Sequence, residues 1–209
     1  DGKIASYTGD AQWVSNEKSR LFCQELRHNL KAIMVGINTV LIDNPRLTCR
    51  KKDSVNPIRI IVDSKLRIPL DANVLQITGN DRCIIATTNI KDLNKAKILE
   101  EKGVEILQCD SVDDQVDLKN LMDKLGKMKI DSILLEGGGT LNYSALKVGI
   151  VDYALTFISP KFIGGKNAKT SIEGTGFANM KDAIKLDKPN VTFFDEDILV
   201  YGGIKCLQE

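Results

Sequence analysis

The residues best suited to chemistry in this chain stand where short apolar runs stop. Ser132-Ile133-Leu134-Leu135 ends at one carboxylate, Glu136, and Gly137-Gly138-Gly139 and Thr140-Leu141 follow. This reads as strand, glycine turn and helix. Glycines there let backbone N–H groups approach an anion closely, and a helix amino terminus adds partial positive charge. The same residues also suit an ordinary tight turn, because neither G-x-G-x-x-G nor a P-loop with its Lys is present. Polar groups stand at comparable places elsewhere: Thr39 and Asp43 past Gly36, Asp63-Ser64 after the run 58–62, and Thr87-Thr88 after 83–86. Arg27 and Arg50 carry the planar fork that pairs with phosphate oxygens. Arg27 also reads as a solvated helix charge, and Arg50, beside Lys51 and Lys52, as part of a basic loop. The one histidine, His28, has no partner His, which argues against a His-based zinc site or a Ser-His-Asp triad.

Composition excludes several function classes. The 209 residues are 43% hydrophobic and 27% charged, enough for a substantial core. With 29 basic against 28 acidic residues there is no bulk signal for nucleic acid or an anionic membrane. No apolar run approaches the roughly 18–20 residues that cross a bilayer, and there is no signal peptide or internal repeat. Cys23, Cys49, Cys83, Cys109 and Cys206 are dispersed without a C-x-x-C, so they read as reduced thiols of a cytoplasmic protein. The chain opens at Asp1-Gly2 without Met, which suggests a piece of a longer polypeptide.

The elements that must position these groups follow from periodicity. Ser15 can cap a helix reaching about residue 30, with Leu21, Phe22, Leu26 and Leu30 as its apolar stripe. Runs at 32–35, 58–62, 83–86 and 104–107 are predicted strands, and 92–102 and 116–128 predicted helices. Alternation of this kind predicts right-handed βαβ units and a largely parallel sheet covered on both faces. The runs 153–158, 191–194 and 198–201 lack intervening long helices and read as antiparallel additions at one side of that sheet. The stretch 164–176 between them reads as a glycine-rich, mobile loop. The expectation is a single three-layer αβα domain with a mixed, mostly parallel central sheet. Ligands of such sheets bind outside the carboxyl ends of the strands, where the polar groups above would converge.

Several stretches together resemble one family over nearly the whole chain. They are Asp1-Gly2-Lys3-Ile4-Ala5, Gly9-Asp10-Ala11-Gln12-Trp13-Val14-Ser15, Leu26-Arg27 and Ala32-Ile33-Met34-Val35-Gly36-Ile37-Asn38-Thr39-Val40. Asp43-Asn44-Pro45-Arg46-Leu47-Thr48-Cys49-Arg50, Pro57-Ile58-Arg59-Ile60-Ile61-Val62-Asp63-Ser64 and Glu136-Gly137-Gly138-Gly139-Thr140-Leu141 complete the set. The chain resembles the reductase domain of the bifunctional pyrimidine deaminase-reductase of riboflavin biosynthesis, whose fold is similar to that of dihydrofolate reductase.

The resemblance implies NADPH-dependent reduction of 5-amino-6-(5-phosphoribosylamino)uracil to its ribitylamino form. It implies ring opening of the ribose to an imine and hydride delivery to the sugar C1. The alternatives are an archaeal or fungal-type reductase acting on the diamino-pyrimidinone phosphate, and a non-catalytic nucleotide-binding module. Substrate positions fall on Arg27, Leu47, Arg50, Glu136 and Ala11, with Glu136 also the one candidate for proton movement. Cofactor positions fall on Trp13, Thr39, Asp43, Ser64, Gly138, Gly139, Thr140, Leu141, Asn142, Tyr143 and Ser144, with Lys65 and Arg67 as candidates for reading the 2′-phosphate. Trp13 reads equally well as a partly buried core aromatic. Ala11 departs from the family, which carries a Ser there; the lost hydrogen bond is worth about 1 kcal/mol. The family also has a strand and a substrate-reaching Lys ahead of the Asp-Gly turn, expected here in a longer parent chain with a linked deaminase domain. A homodimer or higher homo-oligomer is expected from the apolar strands 154–158 and 198–200.

Overall fold

A computed structural model of the chain describes residues 1–88 and 92–205; Cys206 lies outside the described residues. Its contacts resolve into two compact units. One is Gln24–Gly138, and the other combines Asp1–Cys23 with the chain from Gly139 onward. Helix α1 (Glu17–Asn29) runs through the boundary between them.

Within Gln24–Gly138 the order is β1 (Ala32–Gly36), α2 (Ile37–Asp43), β2 (Ile58–Val62), β3 (Cys83–Thr87), α3 (Leu93–Glu101) and β4 (Glu105–Gln108). A hairpin of β5 (Ser111–Val112) and β6 (Gln115–Val116), then α4 (Leu118–Lys127) and β7 (Ile133–Gly137), complete it. Five strands form one parallel sheet in the order β4-β3-β2-β1-β7. Residues of both parities are buried along β1, β2 and β3, as in a sheet covered on both faces, while β4 and β7 are only half-buried, as edges should be. Ile33, Val35, Ile61, Cys83 and Ile85 pack with Ile37 and Val40 of α2, the 66–75 connection, and Ala96 and Leu99 of α3. Burial pushes the Cys83 thiol up to about 11, so it is an inert core group.

Local chemistry sets the boundaries. Asp92 and Asp117 cap α3 and α4 by accepting from backbone N–H groups in the first turn. Helix α4 starts at Leu118 rather than at 116, because the Val116 N–H is taken by the Ser64 hydroxyl at 3.0 Å and pairs β6 into the hairpin. Asn16, not Ser15, caps α1: its Oδ1 accepts from the Ser19 N–H at 2.9 Å. The β2–β3 connection holds only a short 3₁₀ turn (Asn73–Leu75). Arg59, 1% exposed within the otherwise apolar β2, spends its guanidinium on the Gln76 carbonyl and on Asp81.

The second unit contains α5 (Gly139–Lys147), β8 (Tyr153–Ile158), β9 (Leu186–Phe194) and β10 (Asp197–Ile204). The three strands are antiparallel, as the missing helices implied. They do not extend the parallel sheet but pair among themselves in the order β8-β10-β9. Phe22 of α1 packs on Phe157 and Phe194, with ring centroids 6.1 and 5.2 Å away. Beneath them Asp197, 1% exposed, accepts from the Ser159 hydroxyl at 2.6 Å, the Asn16 N–H at 2.7 Å and the Ser19 hydroxyl at 2.7 Å. No helix of the described residues is long and apolar enough to cross a membrane.

Burial alone would raise the Asp197 pKa, but these three hydrogen bonds and the charge of Lys161 outweigh it and hold the carboxyl below its usual range. A depressed folded pKa adds stability above the unfolded value near about 4, and that stability is lost as pH falls through the folded pKa. Asp197→Asn is therefore expected to lower Tm at pH 7, with the gap from wild type narrowing as pH drops below about 4; thermal melts across pH 3–7 check it.

Candidate active site

Parallel pairing brings the polar strand ends of Gln24–Gly138 to one edge of the sheet. Gly36 stands opposite Val62, and Val35 opposite Gly137 after a register shift. The chain runs outward from β1 through β2, β3 and β4, while β7 lies on the other side of β1. The strand order thus reverses between β1 and β7, which is where open α/β sheets form their ligand crevice.

At that crevice Arg27 and Glu136 meet. The Arg27 Nε donates to Oε1 of Glu136 at 2.7 Å and Nη2 to Oε2 at 2.5 Å, while Nη1 donates to the Thr48 carbonyl at 3.1 Å. The two side chains are 15% and 25% exposed. Two residues expected to face the substrate separately therefore form one bidentate pair, the geometry in which arginine binds a carboxylate best. Both Glu136 oxygens act as acceptors here.

The chain from Leu47 to Arg50 is tied to α1 by a residue that the sequence reading passed over. Gln24, buried one turn before Arg27, accepts from the Arg50 N–H at 2.8 Å through its side chain. The Gln24 carbonyl accepts from the Cys49 thiol at 3.4 Å. Arg50 itself is exposed, and among the described residues its guanidinium has no hydrogen-bond or ion-pair partner. Leu47 is 4% exposed yet has a φ of 54°, a left-handed conformation that costs a leucine of order 1–3 kcal/mol and often marks functional segments. The signal that could have found Gln24 is its spacing: it stands three positions before Arg27 on the same helix face.

Thr39 and Asp43, four residues apart, share a face of α2. The Thr39 hydroxyl reaches the Gly137 carbonyl at 3.5 Å, and a Cβ on Gly138 would lie 3.2 Å from that hydroxyl oxygen. Gly137 and Gly138 have φ of 96° and 74°, so the exit from β7 is left-handed at two successive residues and suits glycine alone. Partial burial raises the pKa of the Asp43 carboxyl. Ser64 is buried, and its hydroxyl donates to Gln115 Oε1 at 3.2 Å while accepting from Val116; its carbonyl receives the Thr87 and Thr88 hydroxyls at 3.2 and 2.8 Å. Asp63, fully buried beside it, accepts from the Ile68 N–H. Arg67 donates to Asn38 Oδ1 at 2.9 Å, and Lys65 is exposed.

The remaining residues belong to the other unit. Trp13 is 56% exposed, so it is not a core aromatic; the Arg20 guanidinium lies 4.4 Å from its ring centroid. Lys161 donates to the Trp13 and Val14 carbonyls at 2.8 Å each. Ala11 is exposed in the turn before Trp13. Helix α5 begins at Gly139, inside the glycine turn expected from the sequence, and carries Thr140, Leu141, Asn142, Tyr143 and Ser144 in its first two turns.

The family model described as the RibD C-terminal domain matches residues 1–200. The chain belongs to that family. It is 45% identical over 200 residues to riboflavin biosynthesis protein RibD of Actinobacillus pleuropneumoniae, covering 96% of this chain and 53% of that one. Its match to the 2,5-diamino-6-ribosylamino-4(3H)-pyrimidinone 5′-phosphate reductase of Methanothermobacter thermautotrophicus is 38% identical and covers 98% of this chain and 94% of that protein. Among solved structures, the deaminase/5-amino-6-(5-phosphoribosylamino)uracil reductase of Thermotoga maritima aligns with a TM-score of 0.76 at 30% identity, over 96% of this chain and 52% of that one. The RibD of Acinetobacter baumannii shares the fold, with a TM-score of 0.81 at 24% identity. The chain thus spans about half the length of the RibD proteins it matches.

In this RibD C-terminal domain the Arg27–Glu136 pair is open to direct measurement. Arg27→Ala and Glu136→Ala are each expected to destabilise by about 1–3 kcal/mol. The double variant should cost less than their sum by about 1 kcal/mol or more; urea unfolding of the four proteins checks it.

Proposed function

We propose that this chain is an NADPH-dependent reductase domain that reduces 5-amino-6-(5-phosphoribosylamino)uracil to the ribitylamino product in riboflavin biosynthesis. The observation that carries this reading is the β1–β7 edge, where a carboxylate clamped by a guanidinium is followed directly by a left-handed glycine exit. The close approach of Gly138 to Thr39 fits a backbone cradle for a diphosphate, because a side chain there would fill it. In Gln24–Gly138 the residues that would hold the cofactor are Thr39, Asp43, Ser64 and Gly138; Trp13, Thr140, Leu141 and Ser144 stay cofactor positions that the family resemblance implies. When bound, NADPH supplies the hydride.

The protein's own residues bind and orient. Glu136 accepts substrate hydroxyls on the lone pairs that Arg27 leaves open, and Arg27 fixes the plane of that carboxylate. The phosphate falls to Arg50, whose guanidinium is exposed on a backbone pinned by Gln24. Leu47 offers an apolar wall. Lys65 and Arg67, after Ser64, are the candidates for reading a 2′-phosphate. The family model matches residues 1–200, across both units, which supports reading residues 1–209 as a single reductase domain. Because this chain half covers longer RibD proteins, we read its parent as carrying a linked deaminase domain and so as multifunctional, and we place that parent in the cytoplasm. Exposed Tyr153, Ile158, Val191 and Phe193 on the outer strands β8 and β9 support a homodimer, whereas the run 198–200 lies in the central strand and offers no free edge.

A second reading rests on the 38% identity to a protein named 2,5-diamino-6-ribosylamino-4(3H)-pyrimidinone 5′-phosphate reductase: the diamino compound would be the substrate, reduced before deamination. Both substrates, each mixed with NADPH and followed at the reduced-nicotinamide absorbance, separate the readings. Turnover of the deaminated phosphoribosylamino compound supports the first. Turnover of the diamino compound alone supports the second, and cofactor binding without either marks a nucleotide-binding module. Arg50→Ala should raise the substrate KM at least about tenfold, the scale of a lost charged hydrogen bond, and leave the NADPH KM within twofold. Arg67→Ala should raise the KM for NADPH by about tenfold but not that for NADH; steady-state kinetics with both cofactors reads the difference.

A further inference from the structure

Helix α5 does not present its opening residues to one partner. Gly139, Asn142 and Tyr143 repeat at three and four positions and so share a face. The irregular segment 168–177 of the same unit covers that face. The Glu173 N–H donates to the Gly139 carbonyl at 3.0 Å, and Asn142 Nδ2 donates to the Ser171 carbonyl at 2.9 Å. The Tyr143 hydroxyl donates to the Gly176 carbonyl at 2.8 Å and lies 3.1 Å from the Thr175 hydroxyl. Its ring, on a residue 7% exposed, meets Phe177 at a centroid distance of 5.7 Å.

The backbones are also too close for larger residues. A Cβ on Gly139 would come within 2.6 Å of Glu173 Cγ and 2.8 Å of the Thr170 carbonyl oxygen. A Cβ on Gly174, at a φ of 86°, would fall 2.3 Å from the Tyr143 ring. The segment predicted to be a mobile glycine loop is therefore a strap fastened at four successive points. Thr140 and Ser144 stand off this face, joined to each other by the Ser144 hydroxyl on the Thr140 carbonyl at 3.0 Å.

We infer that Gly139, Asn142 and Tyr143 are positioning residues: they lock the 168–177 strap onto α5, and the strap fixes the direction in which the helix's amino terminus presents its N–H groups. The link from this lock to cofactor grip rests on the reductase reading above. It divides the run 138–144 in two, with 139, 142 and 143 serving the strap and 138, 140, 141 and 144 left for the cofactor.

The test uses Tyr143→Phe, which keeps the ring and removes the hydroxyl, with Thr175→Val as a second variant that spares α5. Hydrogen exchange at the Glu173 amide reads the strap directly, and the KM for NADPH against that for substrate reads its consequence. In Tyr143→Phe the exchange should accelerate about fivefold, the scale of one lost hydrogen bond. The NADPH KM should rise by a similar factor, with kcat and the substrate KM within twofold. Thr175→Val should shift both quantities the same way by less. Unchanged exchange in both variants overturns the lock. Faster exchange with an unchanged NADPH KM overturns its role in cofactor grip. If the wild type consumes no NADPH, the reductase reading fails, while the exchange result still decides the lock.

Discussion

The site of Gln24–Gly138 depends on the pairing of β1 with β7, two strands brought side by side across most of that unit. Only this pairing sets Glu136 beside Arg27, 109 positions earlier in the chain. It also brings the Gly137 carbonyl to the Thr39 hydroxyl. The reversal of strand order leaves a gap with no crossover covering it, so polar side chains can stand there without displacing core. A register slip on β7 would turn Glu136 to the other face and break both contacts together.

Much of this was legible in the sequence because parallel strands buried on both faces have to be nearly all apolar. The runs at 32–35, 58–62 and 83–86 became β1, β2 and β3 within a residue at each end. The polar residues closing them arrived at one edge because the three strands pair in parallel, although a 3₁₀ turn rather than a helix joins β2 to β3. What could not be read was tertiary. Nothing local says that Arg27 will spend its fork on Glu136 rather than on a ligand. Nothing local says that Val116 will leave a helix to meet Ser64. The antiparallel character of 153–158, 191–194 and 198–201 could be read, but not their choice to pair with one another, since a strand's partners are fixed by whole-chain packing rather than by its own composition.

The glycines divide by physical reason. Gly137 and Gly138 are set by dihedral angle, Gly139 by space and Gly174 by both. The sequence shows all of them as one kind of letter. That is why 164–176 read as a flexible loop when one of its glycines, Gly174, in fact allows close seating against Tyr143. Glycine marks either freedom or intimacy, and only the surrounding atoms decide which.

The two units also differ in when they can be finished during synthesis. Gln24–Gly138 is one unbroken stretch, so its sheet can close as soon as β7 has left the ribosome. The other unit cannot. Asn16 and Ser19 wait for Asp197, 181 and 178 positions later. The entropy of closing so long a loop exceeds that of a loop half its length by only about 0.6 kcal/mol, so the burden is one of time rather than of stability. Until that carboxylate emerges, the nascent chain carries a closed parallel sheet and a stretch 1–23 whose Asn16 and Ser19 still lack their partner, a state open to holdase chaperones and to aggregation.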